Sequence, residues 1–339
     1  MGAASIPLRG YPSKEQNMVT TTSADSQNSA VFRFVQVNDL HIQNDHSRYV
    51  STSSNRVGPT YEGANDRAFW LLQSLKKDAF FKGIDFVLGI GDLVHGQQLE
   101  AIKYDLDFFA THFYKDFPIP LYPAIGNHEI IQREGDPVYE APYKDLFGKD
   151  KVNYSFLHKG IHFIVINNAG SHSVKDTGIL NFRLTALERM LKEHPDKPKI
   201  VCCHIPLIPI RQNEVLAKSF GFSSYYTKEA EVLDLVEKHK VLAVLAGHLH
   251  ISGMIVKNSV YHVVVSGLAS YPHDMALYTV YKDRIDVALF RVPSDLLVPR
   301  TNIHGASRFG LDYTDNLHQD YTTYIMGQTS ERYFSISLK

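Results

Sequence analysis

Short apolar runs alternate with helical periodicities along most of this chain. Val31 to Val37 is nearly continuous apolar sequence and reads as a strand. Ala68, Leu71, Leu72, Leu75 and Ala79 recur at helical spacing and predict a helix over 65–82, ended by Gly83. Ile84 to Ile90 predicts a second strand. Leu99, Ile102, Leu106 and Phe109 predict a helix over 97–114, broken before Pro118 and Pro120. A third strand follows at 121–125, then a long connection over 130–160 with one short helix at 141–147. Strands at 161–166, 199–203 and 241–246 then alternate with helices at 181–193 and 228–239. Three strand-like runs, 260–265, 276–281 and 284–290, come last with no helix between them.

Alternation followed by strand on strand predicts an α/β core with an antiparallel finish. The fold expected is two packed mixed β-sheets flanked by α-helices, an α+β sandwich. Residues 1–29 are polar, without apolar period, and read as a disordered tail. One domain is expected over 30–292. Residues 293–339 form a C-terminal extension that packs on it or makes a small cap. Asp45 to Gly63 is polar and rich in breakers, a loop over the strand ends.

Composition narrows the class. Hydrophobic residues make up 44% and charged residues 21%, which suits a soluble globular protein. Basic and acidic residues number 35 and 36, so no excess of positive charge is present to neutralise nucleic-acid phosphates. Cys202 and Cys203 are adjacent, which excludes a disulfide framework. No apolar run approaches the roughly 18 residues of a membrane span. The start lacks the basic and apolar parts of a secretory signal. Met1-Gly2 is followed by Ile6 where myristoylation needs Ser or Thr. A cytoplasmic location is expected, and secretion with a missing leader stays open.

The chemistry lies at the strand ends. Asn38-Asp39-Leu40-His41 follows the first strand, and Gly91-Asp92 follows the second. Gly126-Asn127-His128-Glu129 follows the third, His204-Ile205-Pro206 the strand at 199–203, and Gly247-His248-Leu249-His250 the strand at 241–246. In extended backbone the two-residue spacing of Asp39 and His41 would put both side chains on one side. In α/β sheets, ligands gather at one end of the strands. Asp39, His41, Asp92, Asn127, His204, His248 and His250 offer oxygen and imidazole donors without thiolate, a set suited to Mn, Fe or Zn. Seven ligands exceed one ion and fit two if a carboxylate bridges. Two ions roughly 3.5–4 Å apart can clamp the attacking and leaving oxygens of a phosphoryl group and supply hydroxide near neutral pH. A non-ligating histidine beside them can protonate the leaving oxygen.

In this order, the five motifs resemble the calcineurin-like metallophosphoesterases over about residues 31–265. That resemblance implies a β-sandwich flanked by helices. It implies Asp39, His41 and His250 on a first metal, Asn127, His204 and His248 on a second, and Asp92 bridging. It implies His128 as the non-ligating histidine that assists the leaving group after in-line attack by a metal-bridging hydroxide. A small phosphate-ester substrate is expected, diester before monoester. His95 stands where the purple acid phosphatase branch has a tyrosine ligand, which argues against that branch. The small bacterial-type phosphodiesterases are the nearer pattern. The alternative function is a non-catalytic interaction protein on the same fold, which would be expected to lose ligands and His128.

Several neighbours carry plainer readings. His95 and His172 are expected to be loop histidines, with substrate contact as the alternative. Cys202 and Cys203 read as strand packing, Tyr271 as a structural aromatic, and Glu129 as a loop anchor. Oligomeric state is open.

Overall fold

In the computed structural model, residues 29–44, 63–96, 99–130, 140–169, 177–211, 230–297 and 324–338 are described. The N-terminal tail expected over 1–29 falls outside them apart from its last residue, as does the loop over 45–62. Strand β1 (Phe32–Val37) shows why its run is apolar on both faces. Val35 and Val37 point to a helix layer, whereas Phe32 and Phe34 point to a second sheet. β2 (Phe86–Ile90) and β3 (Leu121–Ala124) run parallel to β1 on one side. The second sheet opens with β4 (Tyr154–His158) and β5 (Ile161–Val165), an antiparallel pair. β6 (Lys199–Cys202) and β7 (Ala243–Ala246) extend it in parallel. β8 (Gly253–Lys257) and β9 (Val260–Val264) form its closing hairpin. β10 (Asp274–Val280) and β11 (Arg284–Arg291) return to the first sheet beside β1, and β12 (Tyr333–Ser337) is its edge. The orders are β12-β11-β10-β1-β2-β3 and β4-β5-β6-β7-β9-β8.

Helices cover the outer faces. α1 (Ala64–Lys77), α2 (Leu99–His112) and α3 (Ala141–Phe147) pack on the first sheet through Leu71, Ile102, Phe109 and Tyr143. α4 (Thr177–Glu193) and α5 (Ala230–Lys238) pack on the second through Leu187, Leu191, Val232 and Val236. The two sheets meet over aromatic rings. Phe34 stacks on Tyr278 at 4.4 Å and on Phe86 at 5.1 Å, and Phe163 meets Phe34 edge-on at 5.3 Å. Such pairs contribute about 0.5–1.5 kcal/mol each beyond their burial. The result is helix, sheet, sheet, helix, the two-sheet architecture expected. No helix among the described residues is long and apolar enough to cross a membrane.

Three strands were not anticipated. β4 sits within the expected connection over 130–160, β8 directly follows the His250 motif, and β12 lies in the extension. Each has only five residues and lies at a sheet edge, so one side is solvated and the apolar signal is thin. α1 also ends earlier than its periodicity predicts. Asp78 accepts a hydrogen bond from Phe80 N at 2.9 Å and starts a separate 3-10 turn over Ala79–Phe81. The last part of the extension is tied down by α6 (Thr329–Arg332), where Gln328 and Glu331 form a capping box.

Two histidines on the helix-facing side of the second sheet give the fold a pH dependence. Burial pushes His162 on β5 down to about 4, aided by His194, and burial pushes His262 on β9 down to about 4, aided by Lys257. The unfolded chain binds their protons near pH 6.5, so it holds more protons than the folded chain between about pH 6.5 and 4. Stability is therefore full above that window and falls as the pH drops through it. In metal-free protein the melting temperature is expected to decline over this range, and His262→Leu to remove part of the slope. An equal slope in the variant would count against the assignment.

Candidate metal centre

The carboxyl ends of β1, β2, β3, β6 and β7 converge, and each carries part of one cluster. Three groups of side chains offer ligand atoms that all lie within 4.8 Å of one another: Asp39 with His41 and His250, Asp92 with His204 and His248, and His41 with His95 and His128. The first group is the donor set expected for one ion. The second is the set expected for the other, less Asn127. Asp92 Oδ2 lies 3.1 Å from His204 Nε2 and 3.8 Å from both His41 Nε2 and His128 Nε2, between the two groups.

The backbone pays for this convergence in strain. Asp39, His41, Asp92, His248 and His250 all have φ between 46° and 68°. Left-handed conformations at non-glycine residues cost roughly 1–3 kcal/mol each and gather at functional sites. This corrects one expectation. Asp39 and His41 reach the same space through left-handed turns at φ 47° and 46°, not along an extended strand. Gly126 belongs to the same geometry, because a Cβ there would lie 2.2 Å from Asp92 Oδ1.

Hydrogen bonds fix which atoms face inward. His204 Nδ1 lies 2.9 Å from the Ile90 carbonyl, which can only accept. Nδ1 therefore carries the proton, and the Nε2 lone pair is left for a cation. His250 Nδ1 pairs with Ser270 Oγ at 2.6 Å, leaving Nε2 beside Asp39 Oδ1 at 3.2 Å. His128 Nδ1 donates to the His95 carbonyl, and its backbone N–H donates to Asp92 Oδ1 at 2.9 Å. Glu129 accepts from the backbone N–H groups of Asp92 at 3.0 Å, Val94 at 3.0 Å and Gly126 at 2.6 Å. It holds two of the loops together, as the loop-anchor reading expects.

The electrostatics are those of a site built around positive charge. Burial works to raise Asp39 and Asp92, yet the surrounding imidazoles outweigh it. His250 and His41 hold the Asp39 carboxyl well below its usual range, and His128 and His204 hold Asp92 low. Burial opposes protonation of His204, but the Asp92 carboxylate raises it. Burial, with the His128 imidazole beside it, pushes His41 down to about 4, which favours the neutral ring with a lone pair to offer. Burial and Asp92 push Glu129 up to about 8, against the pull of its backbone donors. Asp39 Oδ1 and Asn127 Oδ1 are buried and make no hydrogen bond. A buried acceptor left this way costs about 1–3 kcal/mol, so a cation that takes these donors fits the site.

Asp39, His41, Asp92, His128, His204, His248 and His250 fall in these three groups, and Asn127, between Gly126 and His128, has its Oδ1 buried without a hydrogen bond. His95 corrects a plainer reading: it is 2% exposed, and its ring centroid lies 5.5 Å from that of His128 and 5.8 Å from that of His41. A turn residue after Gly91-Asp92 looks ordinary in sequence, and only the return of the chain over His128 brings it inside. Asn168 grips both backbone groups of Ile205, at 2.6 Å and 3.0 Å, and so sets the loop that carries His204. Arg67 on α1 donates to the carbonyls of Leu268, Ala269 and Leu296 and holds the loop beneath Asp39. Neither had a sequence signal beyond its residue type. Cys202 closes β6 and packs between the sheets, as the strand-packing reading expects, whereas Cys203 is buried just past the strand end; burial raises the Cys202 thiol well above its usual value. Tyr271 packs with Tyr324 and Ile325 as a structural aromatic. His172 lies outside the described residues.

Residues 32–252 match the calcineurin-like phosphoesterase family. No sequence among the curated proteins matches the chain. Among solved structures, purple acid phosphatase PPD1 from yellow lupin (Lupinus luteus) seeds aligns with a TM-score of 0.54 at 16% identity, covering 82% of this chain and 57% of that one. This chain thus spans little more than half of the lupin protein, and the likeness shows the fold. GAP50 of Plasmodium, an anchor in the inner membrane complex, aligns at 0.47 with 13% identity, covering 89% of this chain and 99% of that one. A 5'-nucleotidase of Staphylococcus aureus, so named putatively, aligns at 0.45 with 14% identity, covering 82% and 58%. Neither of these last two alignments, at 0.47 and 0.45, bears on the function of this chain.

Proposed function

The chain belongs to the calcineurin-like phosphoesterase family, and from that premise we propose that it hydrolyses phosphate esters with two metal ions, diesters in preference to monoesters. The observation that carries the reading is the place of Asp92 Oδ2, within 3.1–3.8 Å of imidazole nitrogens from both donor groups and of His128. Asp39, His41 and His250 would hold one ion. Asn127, His204 and His248 would hold the other, with Asp92 between them. Mn, Fe and Zn all suit these donors. When bound, such a pair polarises a phosphoryl group and makes water acidic enough to attack near neutral pH.

The rest is the work of the chain. The Ile90 carbonyl and Ser270 keep the Nδ1 sides of His204 and His250 engaged, so both rings present Nε2. Glu129 fixes the loops that bear Asp92 and Asn127 relative to each other. His128 is anchored through Nδ1 to the His95 carbonyl, so any proton it gives to a leaving oxygen comes from Nε2. Burial of the cluster keeps bulk water from competing for these groups.

The test uses chelator-treated protein with Mn²⁺, Zn²⁺ or Fe²⁺ restored separately. Metal-dependent cleavage of bis-p-nitrophenyl phosphate, with p-nitrophenyl phosphate the poorer substrate, is expected. Preference for the monoester would replace the diesterase reading with a phosphatase. Two bound metals without turnover of either ester, or of a panel of natural phosphate esters, would favour an interaction protein.

A further inference from the structure

We infer that a buried polar chain, Tyr278–Gln36–Asn38, is a positioning device for one metal position, holding the Asp39 carboxylate so that Oδ1 and not Oδ2 faces the ion. The inference rests on the two-metal reading and adds residues that the five motifs do not contain. Gln36, Asn38 and Tyr278 are all 0% exposed, at the seam between the sheets. The Tyr278 hydroxyl donates to Gln36 Oε1 at 2.8 Å. Gln36 Nε2 donates to the Ala246 carbonyl at 2.9 Å and to Asn38 Oδ1 at 3.2 Å. Asn38 Nδ2 donates to the Val265 carbonyl at 2.8 Å and to Asp39 Oδ2 at 2.6 Å.

Only one orientation satisfies the chain. The carbonyls of Ala246 and Val265 can only accept, so each must face an amide NH₂. That leaves the Gln36 oxygen for the tyrosine hydroxyl and the Asn38 oxygen for Gln36. Neither amide can flip without setting oxygen against oxygen. The end of the chain is therefore a donor aimed at one oxygen of Asp39. The backbone N–H of His248 donates to the same oxygen at 3.0 Å. Oδ2 is thus held by two donors, whereas Oδ1 makes no hydrogen bond and lies 3.2 Å from His250 Nε2. The approach is close: a Cβ on Gly247 would lie 2.6 Å from Asp39 Oδ2 and 2.7 Å from Asn38 Nδ2.

Apolar side chains could fill this seam without any polar requirement. What the polar chain adds is a fixed choice of carboxylate oxygen, tied at once to β1, β10 and the ends of β7 and β9. Asp92 is held by other means, through the backbone N–H of His128 on Oδ1. Loss of the chain should therefore weaken the Asp39–His41–His250 position and spare the Asn127–His204–His248 position.

Metal-free wild-type protein, Asn38→Ala and Tyr278→Phe are titrated with Mn²⁺, with bound metal followed by calorimetry and electron paramagnetic resonance and folding by thermal melting. Wild type is expected to bind two equivalents. In Asn38→Ala one of them should weaken by about 10–100-fold, the range for residues that orient a ligand, while the other keeps its affinity. Tyr278→Phe keeps the ring stacked on Phe34 and should weaken the same equivalent by a smaller factor. It decides the matter if Asn38→Ala fails to fold. His250→Ala marks the equivalent concerned, and the double variant with Asn38→Ala should lose less than the sum of the two. Equal weakening of both equivalents, or wild-type affinity in both variants, overturns the inference while leaving the two-metal reading intact. A wild-type protein that binds fewer than two Mn²⁺ overturns both.

Discussion

Asp92→Asn should abolish metal-dependent turnover by weakening metal binding at both positions, by at least about 100-fold given that even residues one step removed from a metal account for 10–100-fold. The substitution is nearly isosteric, so the effect is electronic. Asp92 Oδ1 accepts the backbone N–H of His128 at 2.9 Å, and an asparagine keeps its oxygen there. Its NH₂ then occupies the place of Oδ2, which lies among His204, His41 and His128 nitrogens. Two N–H donors would point at the space between the donor groups, where the proposed cations would sit, and a buried negative charge would be gone. Metal analysis after gel filtration, with circular dichroism to confirm folding, checks this. Retention of two tightly bound ions would remove Asp92 from its bridging role.

His128→Ala should act by another route. Metal content stays at two, and turnover falls by about 10²–10⁴-fold, the range for loss of a positioned general acid. Its Nε2 is 3.8 Å from Asp92 Oδ2, beside the cluster, while its Nδ1 is engaged by the His95 carbonyl. The loss should depend on the leaving group. p-Nitrophenolate leaves without a proton and should lose least, whereas an alkyl ester, whose alkoxide must be protonated, should lose most. Stripping of the metals by this variant, or an equal loss on every leaving group, would show that His128 is a ligand or a structural residue.

Much of the candidate centre was legible because the residues proposed as ligands are chemically conspicuous and sit where apolar runs stop. Asp39, His41, Asp92, Asn127, His128, His204, His248 and His250 need no tertiary information to be singled out, only the observation that five strand ends carry them. The supports were not legible, since their partners lie far away in sequence. Asn38 meets Val265, Gln36 meets Tyr278, and Arg67 meets Leu268, each across some two hundred residues. One sign was present: Gln36 and Asn38 interrupt the apolar run from Val31 at its end, and a polar residue in a strand buried on both faces needs a partner. β8 and β9 were legible in part. Asn258 and Ser259 join them at φ 49° and 67°, the turn that closes two-residue hairpins, but Ser is an uncommon choice there. The left-handed backbone at Asp39 and His41 had no sequence mark at all, because Asp and His are ordinary in loops of many shapes.

In the proposed arrangement the two donor groups hold two ions with Asp92 between them. Anomalous diffraction from crystals grown with Mn²⁺ tests it most directly. Two peaks roughly 3.5–4 Å apart are expected, one against Asp39, His41 and His250, the other against Asn127, His204 and His248, with Asp92 touching both. A single peak in this cluster at saturating Mn²⁺, or peaks only elsewhere on the protein, would contradict it.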